Sequence, residues 1–122
     1  MNRILIVDDD HDIALAFGKG LENNGFKVNT FTDPTSALSE FKAGIYDLLL
    51  LDVKMPKMNG FELFGEMVKI DDKVKVCFIT AYEVYYQALR EVFPTLNIEC
   101  FIQKPIEIAA LVEKVREELN SK

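Results

Sequence analysis

The sequence predicts an α/β domain in which five parallel strands form one sheet with helices on both faces. Five short apolar runs are separated by amphipathic segments of helical periodicity, and the two patterns alternate along all 122 residues. Such alternation is typical of a parallel sheet with right-handed crossovers. Apolar residues make up 49% of the chain, which is enough for one core, so we expect a single domain over residues 1–122 with no room for a second.

Each predicted strand is one of the apolar runs: Ile4–Val7, Val28–Phe31, Leu48–Leu51, Val76–Ile79 and Ile98–Ile102. The first and third runs, ILIV and LLLL, contain no polar residue and are typical of central strands that are buried on both faces. The second run, VNTF, is more polar and is expected at an edge of the sheet.

The first two predicted helices have clear end signals. The helix after the first strand is expected to stop at the pair Asn24-Gly25. The second helix begins with Asp33 as N-cap and Pro34 in its first turn, and it is expected to close at Gly44.

The remaining helices are predicted from their apolar stripes. The third has one stripe made of Phe61, Phe64, Met67 and Val68. The fourth is rich in aromatic residues and stops at Pro94. The fifth has an apolar face made of Ile108, Leu111, Val112, Val115 and Leu119.

Composition excludes several classes of protein. The net charge of −6 argues against non-specific nucleic-acid binding, which needs a basic surface. No apolar run approaches the ~20 residues that span a bilayer, and the N-terminus has no signal-peptide pattern, so a cytoplasmic location is expected. Cys77 and Cys100 lack zinc-type spacing and lie in apolar segments, so we expect two reduced core thiols, with a redox role left open.

Polar residues follow four of the predicted strands. Asp8–Asp10 come after the first strand, Asp52 after the third, Thr80 after the fourth, and Lys104 after the fifth. Ligands of open α/β sheets bind at the carboxyl ends of the strands, so these side chains are expected to converge. Clustered carboxylates suit Mg²⁺, and a carboxylate can attack phosphorus to give an aspartyl-phosphate, helped by a cation and a lysine.

Four segments of this chain, ILIVDDD, LLLLDVKMPKMNG, CFITAY and FIQKP, resemble the receiver domain of two-component response regulators. The resemblance covers the whole chain in order. It implies a flavodoxin-like (βα)5 fold with strand order 2-1-3-4-5.

The resemblance also implies roles for the acidic residues. Asp52 resembles the phosphoacceptor, and Asp9 resembles the direct Mg²⁺ (or Mn²⁺) ligand. Asp8 would hold metal-bound water beside it, and the backbone carbonyl of Lys54 would be a further ligand. Asp10 is expected to cap the first helix, not to bind metal. His11 is expected to be a solvated residue of the first turn.

Three further residues resemble the family's switch machinery. Thr80 matches the hydroxyl that turns toward the phosphoryl group, and Lys104 matches the lysine that pairs with that group. The Lys104–Pro105 peptide bond is expected to be cis. Phe101 stands where the family keeps a switch aromatic, often tyrosine, so whether it moves or packs statically stays open. Lys54 and Tyr82 flank the phosphoryl position, and we hypothesise that they slow dephosphorylation.

The function implied is that of a signalling switch, not a metabolic enzyme. It would accept a phosphoryl group from a histidine kinase or phosphotransfer protein and would assist its own phosphorylation and dephosphorylation. It would then control a protein target through an output face, formed by the fourth predicted helix, the fifth strand and the fifth helix. No nucleic-acid or membrane partner is expected.

Three other classes fit less well. A flavodoxin needs a phosphate loop where DDDHD stands, and a haloacid-dehalogenase-type phosphatase needs an acid where Lys54 stands. A pseudo-receiver would lack the acids or the lysine.

Overall fold

The computed structural model describes residues 2–81 and 100–121. The elements in chain order are β1 (Arg3–Val7), α1 (His11–Glu22), β2 (Lys27–Phe31), α2 (Pro34–Glu40), β3 (Leu48–Asp52), α3 (Gly60–Ile70), β4 (Lys75–Thr80), β5 (Cys100–Gln103) and α4 (Ile108–Asn120). The fourth predicted helix, with Pro94, lies outside the described residues, so α4 is the fifth predicted helix.

The five strands form one parallel sheet in the order β2-β1-β3-β4-β5. This confirms the predicted fold class and strand order. All five residues of β3 are buried, as are four of the five in β1, whereas β2 has three exposed residues at the edge. The burial of each strand therefore follows the apolar pattern from which its position was predicted.

Two apolar cores lie on opposite faces of the sheet. Because side chains alternate along a strand, Ile4, Leu48 and Leu50 point to one face, while Leu5, Leu49 and Leu51 point to the other. Residues of α1 and α4 complete the first core: Ala14, Phe17, Leu21, Leu111, Val112 and Val115. The second core is completed mainly by α2 and α3, through Ala37, Leu63, Phe64 and Met67. Each fully buried large side chain contributes about 1.5–3 kcal/mol.

The helix starts are capped by side chains, as the sequence indicates. Asp10 Oδ1 accepts hydrogen bonds from the backbone amides of Asp12 (3.0 Å) and Ile13 (3.2 Å), which confirms Asp10 as a cap. Asp33 caps α2 in the same way, and Pro34 is in its first turn. A capping box between Asn59 and Glu62 begins α3.

The predicted end of α2 is wrong. The helix stops at Glu40, not at Gly44, because Phe41 leaves the helix with an extended backbone. The ring of Phe41 is buried in the second core and stacks on Tyr46, with 6.0 Å between the ring centroids. Burial of this ring therefore decides where the helix ends.

The expectation of two reduced cysteines is also wrong. Cys77 and Cys100 form a disulfide between β4 and β5, with 4.6 Å between their Cα atoms. Both are buried, as expected, but they are also direct partners in the register of the two strands. That register depends on the fold and cannot be counted from a separation of 23 residues.

The C-terminal end of α4 is tied to the sheet by one lysine. Lys75 Nζ, at the start of β4, donates to the backbone oxygens of Glu118 (2.9 Å), Leu119 (3.2 Å) and Ser121. The last carbonyls of a helix lack the amide donors that earlier turns supply, and the positive charge also complements the helix dipole. No helix within residues 2–81 and 100–121 is long and apolar enough to cross a bilayer.

Candidate functional site

The sheet register brings the predicted polar residues to one edge. Asp8 and Lys104 follow β1 and β5 directly, while Asp52 and Thr80 are the last residues of β3 and β4. Val7 pairs with Leu51 and Thr80 pairs with Gln103, so the carboxyl ends of these four strands lie side by side. Residues that are nearly 100 positions apart in the chain therefore surround one cleft.

Three carboxylates form an acidic cluster, which consists of Asp8, Asp9 and Asp52. One oxygen of each lies within 4.8 Å of the others. Asp8 and Asp52 are buried, with exposures of 1% and 6%, whereas Asp9 is exposed. Like charges at this spacing repel, and the repulsion is stronger where water is excluded.

Lys104 offsets part of the negative charge. Its Nζ lies 2.7 Å from Asp8 Oδ2 and 3.5 Å from Asp52 Oδ1. Its backbone amide donates to Thr80 O at 2.8 Å, which holds the end of β5 against the end of β4. The Lys104–Pro105 peptide bond is cis, as predicted.

The cluster shifts the pKa of two of its members. Burial, followed by the charge of Asp8, raises the pKa of Asp52 to about 7, although Lys104 opposes the shift. Burial alone would lower the pKa of Lys104, but the adjacent carboxylates of Asp8 and Asp52 outweigh it and raise that pKa. Without a further cation, Asp52 is therefore partly protonated near neutral pH, while Lys104 stays charged.

The donor set of the cluster fits a hard divalent cation. Asp8 Oδ1 accepts from the backbone amide of Asp10 at 2.9 Å. Asp8 Oδ2 is buried, and within residues 2–81 and 100–121 it has no well-directed hydrogen-bond donor beside its ionic contact with Lys104. A buried carboxylate oxygen with unused lone pairs, beside two more carboxylates, suits Mg²⁺ or Mn²⁺. The predicted role of the Lys54 carbonyl as a further ligand stays a prediction.

The acidic cluster faces a cavity of about 500 Å³. The residues that line it are Asp9, Asp52, Lys54, Met55, Pro56, Thr80, Ala81 and Lys104. A buried carboxylate, an ammonium group and a hydroxyl-bearing residue therefore border one space. Of the two residues expected to shield the site, Lys54 lines the cavity and Tyr82 lies outside the described residues.

The backbone of Asp52 is packed directly against the start of α3. The amide of Gly60 donates to Val53 O at 2.9 Å, and a Cβ atom at Gly60 would lie only 2.3 Å from Asp52 O. Only glycine allows this approach, which explains the glycine in the segment LLLLDVKMPKMNG.

Two other predicted residues lie near the site. Phe101 is half-buried and stacks on Phe78, with 5.6 Å between the ring centroids. Whether it moves stays open. His11 is exposed at the start of α1 and is not part of the acidic cluster, in agreement with its expected solvated position.

Sequence reasoning missed some partners within the site. It assigned Lys104 to the phosphoryl group and did not anticipate its close ion pair with Asp8. It also gave no role to Met55, Pro56 or Ala81, which line the cavity. Met55 and Pro56 belong to the segment LLLLDVKMPKMNG, and their position shortly after Asp52 was the signal that could have placed them in the cavity wall. The sequence places Lys104 on the same edge as the aspartates, but which carboxylate it contacts depends on the register of β1, β3, β4 and β5.

Comparisons with known proteins agree with this geometry. The sequence model of the family described as "Response regulator receiver domain" matches residues 4–116. The chain is 32% identical to the response regulator receiver protein CpdR of Brucella abortus, over 98% of both chains. It is 29% identical to the transcriptional regulatory protein PrrA of Mycobacterium tuberculosis, over 93% of this chain but about half (48%) of that protein's length.

Solved structures are also similar. A CheY-like receiver domain protein from Methanospirillum hungatei superposes with a TM-score of 0.86 at 29% identity, covering 98% of this chain and 94% of that one. TrrA from Thermotoga maritima, solved in complex with Mg(2+)-BeF, gives a TM-score of 0.81 at 31% identity, covering 96% and 98%. Receiver domains bind Mg²⁺ at acidic residues. The chain thus belongs to the response regulator receiver domain family, whose general function is phosphorylation-based signalling in two-component systems.

Proposed function

We propose that this chain is a phosphorylation switch that accepts a phosphoryl group on Asp52 from the phosphohistidine of a histidine kinase or phosphotransfer protein. One observation carries the proposal: Asp52 borders the cavity with Asp9, Thr80 and Lys104, and Lys104 Nζ lies 3.5 Å from its carboxylate. This is the set of groups that phosphoryl transfer to a carboxylate requires.

The carboxylate of Asp52 is the nucleophile in this proposal. One of its oxygens forms a bond to phosphorus as the bond between phosphorus and the histidine nitrogen breaks, and the histidine keeps the electron pair. Asp52 must be ionised to attack, which its raised pKa opposes near neutrality. The acidic cluster would hold Mg²⁺ or Mn²⁺, which supplies positive charge that favours the ionised form and offsets charge on the transferring group.

The other side chains position the group and exclude water. Lys104 stays protonated, since the pKa of its ammonium is raised, and it can contact a phosphoryl oxygen beside Asp52. Thr80 is 3% exposed at the end of β4, where its hydroxyl would donate to another phosphoryl oxygen.

The switch would act through the elements attached to these residues. Thr80 ends β4, Phe101 is in β5, and Lys104 leads through Pro105 to α4. A phosphoryl group that attracts Thr80 and Lys104 would therefore displace β5 and the start of α4, which belong to the predicted output face. A protein target would distinguish the two states by this face. We class the chain as a cytoplasmic signalling protein that assists its own phosphorylation, not as a metabolic enzyme.

The test is incubation with Mg²⁺ and a small phosphodonor such as acetyl phosphate, followed by intact-mass measurement. We expect one phosphoryl adduct, which Asp52→Asn abolishes. Asp72→Asn is the matched control because Asp72 is an exposed acid at the opposite end of the sheet, and it should keep the adduct. An equal adduct on Asp52→Asn, or none on the unaltered chain, would contradict the proposal.

A further inference from the structure

The disulfide joins the two strands that carry the switch residues. Cys77 and Cys100 are direct partners in the register of β4 and β5. The next pair along the strands is Phe78 and Phe101, whose rings stack. Two positions further, Thr80 pairs with Gln103, which precedes Lys104. The covalent bond therefore lies beside the residues whose displacement would transmit phosphorylation.

The strand β5 is a short strand at the edge of the sheet. It has four residues, and β4 is its only neighbour among the described strands. Edge strands that are this short are held by few backbone hydrogen bonds. The disulfide adds a covalent tether where those bonds are fewest.

A carboxylate lies beside the two sulfur atoms. Cys77 Sγ, Cys100 Sγ and an oxygen of Glu118 all lie within 4.8 Å of one another. Glu118 is only partly buried on α4, so its side chain links the enclosed sulfurs to the surface. A carboxylate at this distance disfavours a thiolate, so when the bond opens the two sulfurs favour the thiol form.

We propose that Cys77 and Cys100 form a reversible redox modification site that controls how firmly β5 is held to the sheet. Its reaction partner is a small dithiol, because the sulfurs are enclosed: Cys77 is fully buried and Cys100 is 8% exposed. The dithiol gives two electrons and two protons to the Cys77–Cys100 bond, which opens to two thiols while the dithiol closes to its own disulfide. Oxidation runs the exchange in reverse. The consequence for signalling rests on the function proposed above: the oxidised form restrains the movement of β5 that phosphorylation would cause.

The site itself is tested without phosphorylation. The unaltered chain is equilibrated in buffers that contain reduced and oxidised dithiothreitol in different ratios. Free thiols are counted by alkylation and mass measurement. Amide hydrogen exchange is followed in peptides that cover Cys100–Gln103. We expect two thiols to appear and disappear reversibly. We expect these amides to exchange about tenfold more slowly, or slower still, in the oxidised form.

The double variant Cys77→Ala/Cys100→Ala is the control, and its exchange rates should be the same in every buffer. Because the unaltered chain is compared with itself, the test does not depend on the folding of that variant. Two thiols in every oxidising buffer, or equal exchange of Cys100–Gln103 in both forms, would overturn the proposal.

A second measurement separates this inference from the proposed function. Oxidised and reduced chains are treated with Mg²⁺ and acetyl phosphate, and both should gain an adduct on Asp52. Phosphorylation should change hydrogen exchange in Cys100–Gln103 less in the oxidised chain. An equal change in both forms would refute the control of signalling. If neither form gains an adduct, the proposed function fails, while thiol counts and exchange rates of the untreated chain still decide the redox site.

Discussion

Asp52 is held in a position that disfavours its own charge. It is buried beside Asp8, and the positive charge of Lys104 offsets only part of the resulting repulsion. The ionised form of Asp52 is therefore costly unless a further cation is present. This cost should be measurable as a dependence of stability on pH.

In the absence of divalent cations, the free energy of unfolding should fall as pH rises from about 4 to about 7. The pKa of Asp52 is about 7 in the folded chain against an ordinary 3.8, so in this range the folded chain keeps a proton that the unfolded chain has lost. The slope should reach at most about 1.4 kcal/mol per pH unit. Urea denaturation at pH 5 and pH 7 measures it.

Asp52→Asn should remove most of this slope, and an unchanged slope in that variant would show that other titrating groups cause it.

Two other carboxylates, Asp33 and Asp71, affect stability in a lower range of pH. A side-chain hydrogen bond from Thr35 lowers the pKa of Asp33, and a backbone hydrogen bond from Gly44 lowers that of Asp71. They add stability as pH rises only below about pH 4.

The neighbouring acids Asp9 and Asp10 should respond differently to Mg²⁺. At about 100 times its dissociation constant, Mg²⁺ should stabilise the unaltered chain by roughly 2.7 kcal/mol. Asp9→Asn should lose most of that gain, because Asp9 belongs to the acidic cluster. Asp10→Asn removes an equal charge but keeps the helix cap, since asparagine caps well, so it should keep the gain. Thermal unfolding with and without Mg²⁺ compares the two variants. If both lose the same part of the stabilisation by Mg²⁺, the metal does not bind at Asp9.

At the scale of elements, the connection from β3 to α3 fixes the backbone of Asp52. The capping box of Asn59 and Glu62 sets the first turn of α3, and that turn places Gly60 against Asp52 O. The position of the Asp52 carboxylate therefore depends on a residue eight positions further along the chain.

Gly60→Ala should lower the rate of Asp52 phosphorylation by on the order of tenfold or more, since its Cβ would displace backbone atoms of Asp52. Rates of adduct formation with acetyl phosphate measure the effect. Glu66→Ala is the control, because it alters an outer position of the same helix, where Glu66 forms an ion pair with Lys69. Equal rates for Gly60→Ala and the unaltered chain would show that the backbone can adjust.

At the scale of the whole molecule, the order of elements and the convergence of the site residues could be predicted, but the individual contacts between distant elements could not. Alternating apolar runs predicted the parallel sheet, and VNTF predicted an edge strand, because burial leaves a local pattern in the sequence. The choice of Asp8 as the partner of Lys104 and the pairing of Cys77 with Cys100 depend on the exact register between strands, which leaves no local pattern in the sequence. The end of α2 also depends on a tertiary contact, that of Phe41.

Reduction of the disulfide should lower the free energy of unfolding by about 3 kcal/mol, the loop-closure value for a separation of 23 residues. Urea denaturation with and without dithiothreitol measures the difference. The double variant Cys77→Ala/Cys100→Ala should show no effect of dithiothreitol. A loss of stability in that variant as well would mean that the reagent acts on something other than the bond.

The contacts of Lys75 give α4 two unequal ends. Its last carbonyls are fastened to the first residue of β4, whereas Glu107, at its N-terminus, makes no capping hydrogen bond with its side chain. The helix is thus held at its C-terminal end, which is the end far from the acidic cluster. A displacement of Lys104–Pro105 would therefore rotate α4 about its C-terminus, and the largest movement would occur in its first turn, nearest the cavity.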